Sequence, residues 1–394
     1  MLFVKSTKVN KSNKILSVID SHIINYPTPI NLNYAWSFGS MAGFCFVIQL
    51  ITGIFLAMYY NPNVDHAFAS VEYIMTNVTG GWLIRYVHAN MASFFFFIVY
   101  LHLFRGLYHA SYVQPRRLVW MSGIVIFFLM MATAFIGYVL PWGQMSFWGA
   151  TVITNLFSAI PSVGSSIVEW LWGGFSVDNP TLNRFYSFHY LLPFLIAGVV
   201  LGHIALLHDS GSGNPLGIQQ NTDVIKFHGP FFVKDLFSAY TLTVIFFLFL
   251  TFLPNILGHP DNYSPANPLV TPTHIVPEWY FLPFYAILRS VPDKLGGVVM
   301  MVSAILVLAL LPFDAPPIAR VRRNIFRRLY FVAFSLFVAN FFLLGWFGQL
   351  PIASPYTSLS AFSVLFYFGY FLVIVPVLEL IETWYDLKHS KKDE

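Results

Sequence analysis

The sequence predicts an all-α polytopic membrane protein with about eight transmembrane helices. Of its 394 residues, 57% are apolar and only 10% are charged, whereas soluble domains carry about 25% charged residues. Helices are the expected spanning element, because hydrocarbon leaves no water to satisfy an open backbone. Each apolar segment is about 17–25 residues long, which suits a span of roughly 30 Å. The segments are 37–58, 83–104, 118–140, 185–207, 236–257, 295–311, 329–347 and 361–381.

Lysine and arginine are distributed unevenly between the two ends of these spans. With the N-terminus placed on one side, that side holds seventeen of the 21 basic residues. The four on the opposite side are Arg85, Arg184, Arg289 and Lys294. The positive-inside rule therefore predicts that both termini face the negative side of the membrane, which is the cytoplasm or the mitochondrial matrix. In so apolar a chain, these basic loops are not expected to bind nucleic acid.

Two long connections interrupt the spans. The first, 141–184, mixes Trp, Ser and apolar residues, which predicts amphipathic helices at the membrane interface. The second, 254–290, is rich in Pro, and loops of that length are usually functional. Alternation of the spans places both on the positive side. We expect two units, with four spans in 1–215 and four in 216–394. The single Cys excludes an internal disulfide and a thiolate metal site.

Four histidines inside apolar sequence form two pairs with one spacing. His88 and His102 lie fourteen residues apart in the second span, as do His189 and His203 in the fourth. Fourteen residues are almost four helical turns, so each pair shares a face, with its members about 21 Å apart. The two spans run in the same direction, which brings His88 level with His189. A lone membrane His is more often a satisfied polar group, but two matching pairs predict two irons, each ligated from both sides as in electron-transferring haems.

Glycines repeat the interval in the first and third spans. Gly39 and Gly53 are fourteen residues apart, as are Gly123 and Gly137. Glycine weakens a helix, but its missing side chain lets a flat macrocycle approach the backbone. Helix–helix packing through small residues is the alternative. The shared interval favours four helices that enclose two stacked haems.

Two arginines lie near the predicted haem levels. Arg85 precedes His88 by three residues, and Arg105 follows His102 by three. Their guanidinium groups could pair with haem propionates. Ordinary snorkelling of the side chains to the interface is equally compatible with the sequence.

The chain resembles cytochrome b of mitochondrial-type bc1 complexes, from about Trp36 to the last span. The chloroplast counterpart is split into two chains and has one extra residue between its second pair of histidines, and this sequence has neither feature. The resemblance implies two b-type haems, of low potential at His88/His189 and of high potential at His102/His203. Besides the His and Gly pairs, the segments that carry the resemblance are 143–146, 148–156 and Pro277-Glu278-Trp279-Tyr280.

The resemblance also implies the function. The chain would carry electrons across the mitochondrial inner membrane in a quinol–cytochrome c oxidoreductase, with ubiquinol as the implied quinol. Quinol oxidation on the positive side would be bifurcated, and quinone would be reduced on the negative side, coupled to proton translocation. The implied partners are a Rieske iron–sulfur protein, cytochrome c1 and a second copy of the complex. The residues alone leave two rivals open, a transporter or channel with a His/Glu proton relay and a membrane haem reductase acting on metal or oxygen.

Glu278 is the candidate acid of the quinol-oxidation site. A carboxylate among apolar aromatics has a raised pKa, which suits proton transfer, although the residue alone would be read as a solvated loop acid. Phe147 stands where many relatives have His. From sequence alone the aromatics around this site would be core residues. The resemblance places in the pocket Phe135, Tyr138, Gly149, Pro277 and Tyr285.

Candidates for the quinone-reduction site lie on the negative side. His208, Lys234 and Asp235 would face an aqueous entrance, where a His and an acid suit proton uptake. His208 could equally be a helix-terminal His that interacts with the helix dipole. The resemblance covers His208, Asp235 and Ser40. Ser37 replaces an expected Asn, which leaves the pocket shape and inhibitor preference open.

Overall fold

The computed structural model describes residues 17, 20–217, 223–314 and 324–390. Within these ranges, eight helical spans are long and apolar enough to cross a membrane, which confirms the predicted fold class. Seven are single helices, and the eighth joins two helices through a π-turn at Tyr370–Ile374. The spans are α1 (Phe38–Ala57), α3 (Gly81–Tyr108), α4 (Arg117–Val139), α7 (Asn179–Ser210), α8 (Pro230–Phe252), α10 (Lys294–Asp314), α11 (Asn324–Gln349) and α12 (Tyr356–Gly369) continued by α13 (Val375–Ser390).

Shorter elements connect the spans. Two 3₁₀ turns, Pro260–Tyr263 and Trp279–Phe281, shape the Pro-rich connection. The strands of the described ranges form one antiparallel pair, β1 (Pro27–Pro29) with β2 (Val224–Lys226), which an all-α prediction did not include. The short helices are α2 (Ala67–Thr76), α5 (Gln144–Asn155), α6 (Gly164–Trp172) and α9 (Leu282–Arg289). The helices predicted within 141–184 are therefore present.

Two spans begin six residues earlier than hydropathy predicts. The fourth begins at Asn179 rather than 185, and the Asp178 backbone N–H donates to Thr181 Oγ1 at 3.2 Å at its first turn. The fifth begins with Pro230 at its first position rather than at 236. Both added turns carry polar residues, which a hydropathy profile assigns to the connections. Capping groups and Pro at a first turn are stronger signals of a helix start.

The first four spans pack as two close pairs, α1 against α3 and α4 against α7. Span α8 packs on the outside of the first pair. The last spans share an aromatic core with α3, in which Tyr100 and Phe104 contact Phe341 with ring centroids 5.1 and 5.5 Å apart. The four-span bundle and the C-terminal spans therefore share one hydrophobic core.

The two long connections meet at one end of the bundle, as the alternation of spans predicts. Asn262 Oδ1 accepts the Ser146 backbone N–H at 2.9 Å, and Gln144 Nε2 donates to the Val270 carbonyl at 3.0 Å. A Cβ at Gly143 would overlap the Asn262 carbonyl, so only glycine permits this close approach. The contact fixes the first connection over the second.

The segment Pro277–Phe281 is anchored to α3. Trp279 Nε1 donates to Ser93 Oγ at 3.0 Å, and the Tyr100 hydroxyl donates to the Tyr280 carbonyl at 2.5 Å. The Tyr280 ring also stacks on Phe96, with centroids 4.0 Å apart. These contacts hold the neighbouring Glu278 at a fixed height on the bundle.

Nine of the basic residues behind the topology prediction lie outside the described ranges. The predicted side of the termini therefore stays a prediction. These residues are Lys5, Lys8, Lys11, Lys14, Arg320, Arg322, Arg323, Lys391 and Lys392.

Candidate functional site

The structure pairs the four histidines as the spacing predicts. The ring centroids of His88 and His189 are 6.2 Å apart, and those of His102 and His203 are 6.5 Å apart. Imidazole binds first-row metals at about 2 Å. The sum of two such metal–nitrogen bonds and two imidazole ring radii is close to these centroid separations. The separation of each pair therefore suits one metal ion bound between two imidazoles.

Hydrogen bonds set the tautomer of three of these histidines. Thr52 Oγ1 donates to the Ile48 carbonyl at 2.7 Å, so at 2.8 Å from His88 Nδ1 it can only accept a proton. Ser122 Oγ likewise donates to its own helix and accepts from His203 Nδ1 at 2.9 Å. His189 Nδ1 lies 2.9 Å from the Thr133 carbonyl, which has no proton to give. In all three, Nδ1 carries the proton, and the Nε2 lone pair is free for a metal.

His102 differs from the other three. Its Nδ1 lies 3.2 Å from Arg105 Nη2, which can only donate. Nε2 of His102 therefore carries the proton in this arrangement, and metal binding there requires the other tautomer. The Nε of Arg105 is buried without a hydrogen-bond partner, and the guanidinium lies 5.3 Å from the Trp36 ring. A cation with a buried orphan N–H fits an anionic group, so Arg105 suits a propionate, whereas His102 would bind a metal only with its proton on Nδ1.

The four glycines contact the histidines rather than empty space. A Cβ built on Gly39 would lie 3.3 Å from His102 Cε1, and one on Gly123 would lie 3.3 Å from His203 Cε1. On Gly53 it would lie 3.1 Å from His88, and on Gly137 it would overlap the His189 ring. The missing side chains therefore make room for the imidazole edges. This contact is additional to the approach of a macrocycle that the spacing predicts.

Arg85 occupies the other predicted propionate position. It lies beside Tyr263 of the Pro-rich connection and near His88, three residues away. Its guanidinium is thus at the end of the bundle where the two connections meet. No group of three or more His, Cys, Asp or Glu that could hold a metal occurs in the described part of the chain. The paired histidines therefore stand as two-ligand sites.

A pocket opens beside the His88/His189 level, between the two long connections. It contains about 430 Å³ of empty space. All six residues predicted for the quinol-oxidation site line it, and apolar side chains such as Met145 and Ile275 complete the wall. The predicted residues are Phe135, Tyr138, Gly149, Pro277, Glu278 and Tyr285. Phe147 is instead buried against Trp142 and Trp148, so its departure from the family pattern does not reshape this wall.

Burial raises the pKa of Glu278 to about 7. Desolvation is the main cause, and the nearby Tyr138 hydroxyl opposes it. That hydroxyl makes no hydrogen bond of ordinary geometry, so its effect on Glu278 is through proximity. The carboxyl can therefore take up and release a proton near neutral pH, in a pocket with apolar walls.

Gly149 lies on α5 in the pocket wall. A Cβ added there would meet no heavy atom within 4 Å. A methyl group at this position would therefore project into open space without disturbing the protein. A molecule bound in the pocket can occupy this free space.

The candidates of the quinone-reduction site gather at the opposite end of the bundle. Asp235 lies within hydrogen-bonding range of Ser37 and Ser40, which belong to the start of the first span. Ser37 is buried, and its carbonyl accepts from Ser40 Oγ at 2.8 Å. The side chain of Lys234 binds the N-terminal segment, because its Nζ donates to the Leu32 carbonyl at 2.6 Å. His208 is half-buried at the end of α7.

Three residues that contact the predicted histidines were not predicted from the sequence. Thr52 and Ser122 directly precede the glycines at 53 and 123, so a hydroxyl residue before a spaced glycine was an available signal. His22 lies 2.9 Å from His208, Nδ1 to Nδ1, across 186 positions of sequence. No spacing rule connects residues so far apart.

Comparisons with known proteins identify the relatives of this chain. The family model "Cytochrome b/b6/petB" matches residues 23–211, and "Cytochrome b(C-terminal)/b6/petD" matches residues 265–368. Cytochrome b of Phytophthora megasperma is 58% identical and covers 94% of this chain and 96% of its own length. Cytochrome b of Chondrus crispus is 56% identical, with coverages of 93% and 96%. A solved "Hyperthermophilic respiratory Complex III" chain superposes with a TM-score of 0.87 at 34% identity, covering 94% of this chain and 98% of that one.

Replacing Thr52 by Val should raise the reduction potential of a haem bound at the His88 level. The variant removes the acceptor of the His88 Nδ1 proton, which makes the imidazole less basic and stabilises oxidised iron less. A hydrogen bond is worth about 0.5–1.5 kcal/mol, which corresponds to roughly 20–65 mV for a one-electron couple. Spectroelectrochemical titration in membranes measures the shift. Thr241→Val, on an exposed part of α8, is the matched control, and equal potentials in both variants would contradict this role.

Replacing Gly149 by Ala should leave assembly intact and weaken inhibitors that lie against this wall. The methyl group meets no protein atom, but overlap with a tightly packed ligand costs about 1–3 kcal/mol, or roughly 5- to 150-fold in affinity. A flexible quinol should lose much less, so most turnover remains. Inhibition curves with compounds acting at either end of the bundle measure the effect. Equal sensitivity of variant and parent to every positive-side inhibitor would remove Gly149 from the pocket.

Proposed function

We propose roles for individual residues of this chain, starting from the fact that the chain belongs to the cytochrome b family. It is a transmembrane electron carrier and a subunit of a complex III-type quinol–cytochrome c oxidoreductase. Like its family, it binds haem b, and it associates with other subunits of complex III. The relatives are of mitochondrial type, which is consistent with a multi-pass protein of the inner membrane.

Two haems are proposed, one for each histidine pair. The residues fit them, since His88 and His189 present free Nε2 lone pairs and a buried arginine lies near each level. When bound, each haem would supply one-electron transfer. The protein would hold it by both imidazoles, leaving no open position for oxygen. The pair at His88/His189 is assigned the low potential, and the pair at His102/His203 the high potential.

At the pocket beside the first level, Glu278 is the proposed proton acceptor for quinol oxidation. Its carboxyl lines the pocket, and its pKa of about 7 lets it ionise under working conditions. Tyr138 lies beside it and can orient the quinol hydroxyl. Phe135, Pro277 and Tyr285 exclude water from the remaining walls. Bifurcation of the two electrons fits the family, with one leaving through an iron–sulfur partner.

At the opposite end, His208 and Asp235 are the proposed proton donors for quinone reduction. Ser37 and Ser40 lie beside the carboxyl of Asp235. Lys234 is proposed to stabilise the N-terminal segment over the site, because its ammonium is occupied by the Leu32 carbonyl. Protons would be taken up here and released at the Glu278 end, which stores energy across the membrane.

Membership of the cytochrome b family also supports proposals for the partners, the substrate and the orientation of the chain. A Rieske iron–sulfur protein and cytochrome c1 are the proposed electron-accepting partners, within a dimer of the whole complex. Ubiquinol is the proposed substrate. Both termini are proposed to face the matrix, where the seventeen basic residues would lie. The units 1–215 and 216–394 would carry the haems and the quinol-site loop, respectively.

The observation that carries the proposal is the opposition of two histidine pairs at separations that suit a metal between imidazoles. A transporter with a proton relay would need hydrogen-bonded chains of groups along a path, rather than two levels of paired imidazoles. A haem reductase acting on oxygen would need an open ligand position. Neither rival accounts for hydroxyl and carbonyl groups that fix the Nδ1 proton.

Replacing His102 by Leu should remove ligation at the His102/His203 level, because one of its two imidazoles is lost. Absorption spectra of reduced membranes should show loss of the high-potential component, or of both components where assembly fails. His109→Leu, one residue beyond the end of α3, is the matched control and should keep both components. Two normal haem signals in the His102 variant would show that His102 is not a ligand.

Replacing Glu278 by Gln should slow quinol oxidation by about 10-fold or more, since general-base catalysis contributes at least that much. A base is active when ionised, so the parent rate should rise with pH through about 7, and the variant should lack this rise. Steady-state turnover between pH 6 and 9 measures it, with haem content as the check on assembly. Asp261→Asn, an exposed acid of the same connection, is the control. A parent-like pH profile in the Glu278 variant would contradict the assignment.

A further inference from the structure

His22 and His208 form a direct imidazole–imidazole contact. His22 lies on the N-terminal turn Asp20–Ile24 and is exposed, whereas His208 is half-buried at the end of α7. Their Nδ1 atoms are 2.9 Å apart, their centroids 5.0 Å apart, and their planes differ by 9°. The centroid separation nearly equals the nitrogen–nitrogen distance plus two ring radii. The two nitrogens therefore lie almost on the line between the ring centres, in a hydrogen bond that joins edge to edge.

This geometry allows one proton between the rings. If both Nδ1 atoms carried protons, the two N–H groups would repel each other, and if neither did, the lone pairs would. One ring therefore donates and the other accepts, and each has its Nε2 on the far side. A proton arriving at one outer nitrogen can leave from the other after a single transfer across the contact. Imidazole is the side chain best suited to such a shuttle near neutral pH.

We propose that His22 is the proton-relay partner of His208, carrying protons from water to the quinone-reduction site. The inference rests on the proposed role of His208. Water protonates Nε2 of His22, the Nδ1 proton of His22 moves to Nδ1 of His208, and the Nε2 proton of His208 moves to the quinone oxygen. The first transfer breaks an O–H bond of water and forms an N–H bond, the second exchanges one N–H bond for another, and the third breaks an N–H bond and forms the O–H bond of the quinol. The electrons arrive through the chain's own electron path, so no further reductant is required.

The surroundings of the pair are compatible with this path. The Tyr26 ring lies over His208, with centroids 4.3 Å apart, and the adjacent Asp209 interacts with it electrostatically. Arg116 lies near Tyr26, and Asp20 is held by Asn25 Nδ2 at 2.6 Å on the turn that carries His22. Tyr26 shields one side of the inner ring, while the outer ring remains in contact with water.

The test measures re-oxidation of the reduced b haems by decylubiquinone in native membranes, with the positive-side site inhibited. His22→Phe keeps an aromatic ring but cannot carry a proton. Its rate should fall about 10-fold at pH 8 and less at pH 6, because the relay matters most when protons are scarce. In His22→Ala, added imidazole should restore the rate. The control is His228→Phe, which removes another exposed His whose backbone N–H donates to Ile24, and it should behave as the parent.

The outcomes distinguish failure of the proposed relay from failure of the proposed quinone-reduction site. A parent that re-oxidises normally, with a His22→Phe rate equal to it at every pH, overturns the relay and leaves His208 in place. An equal slowing at all pH values, with no imidazole rescue of His22→Ala, also overturns it by assigning His22 a structural role. A parent without decylubiquinone-dependent re-oxidation overturns the proposed quinone site and the relay with it. Haem content confirms assembly of each variant, and the Ala variant decides where the Phe variant fails to assemble.

Discussion

Each of the four histidines is held between a glycine of a neighbouring helix and a partner at Nδ1, and the packing of the bundle depends on this contact. A side chain at Gly137 would overlap the His189 ring, and one at Gly53 would lie 3.1 Å from His88. The helices can approach only where the glycines are. The same approach brings Thr52 and Ser122 to the imidazole edges. At His88 and His203, close packing and selection of the ligand tautomer are thus one arrangement.

The two ends of the bundle differ because their acids meet different surroundings. Glu278 is enclosed by two connections that are hydrogen-bonded to each other and anchored to α3, so burial raises its pKa to about 7. Asp235 lies beside two serines, and His208 joins an exposed His22. An enclosed carboxyl suits a proton leaving a quinol in an apolar pocket. A hydrogen-bonded pair that reaches water suits proton uptake.

The sequence predicted the spans and the histidine pairing because both follow from helical periodicity, which is local. The levels of His88/His189 and His102/His203 required only that the second and fourth spans run in the same direction. The helix starts at Asn179 and Pro230 were misplaced because hydropathy weighs side chains and ignores caps. The contact between His22 and His208 joins segments 186 residues apart, and the β1–β2 pair joins segments that are even farther apart. Such contacts depend on tertiary packing, which no local pattern encodes.

The central claim is that two opposed imidazole pairs hold two haems in one chain. Low-temperature electron paramagnetic resonance, combined with a redox titration of the purified complex, tests it most directly. We expect two low-spin ferric b-haem signals that disappear at two different potentials, because each iron would be bound by two imidazoles. A single b-haem signal, or a high-spin signal from an iron with an open position, would contradict it.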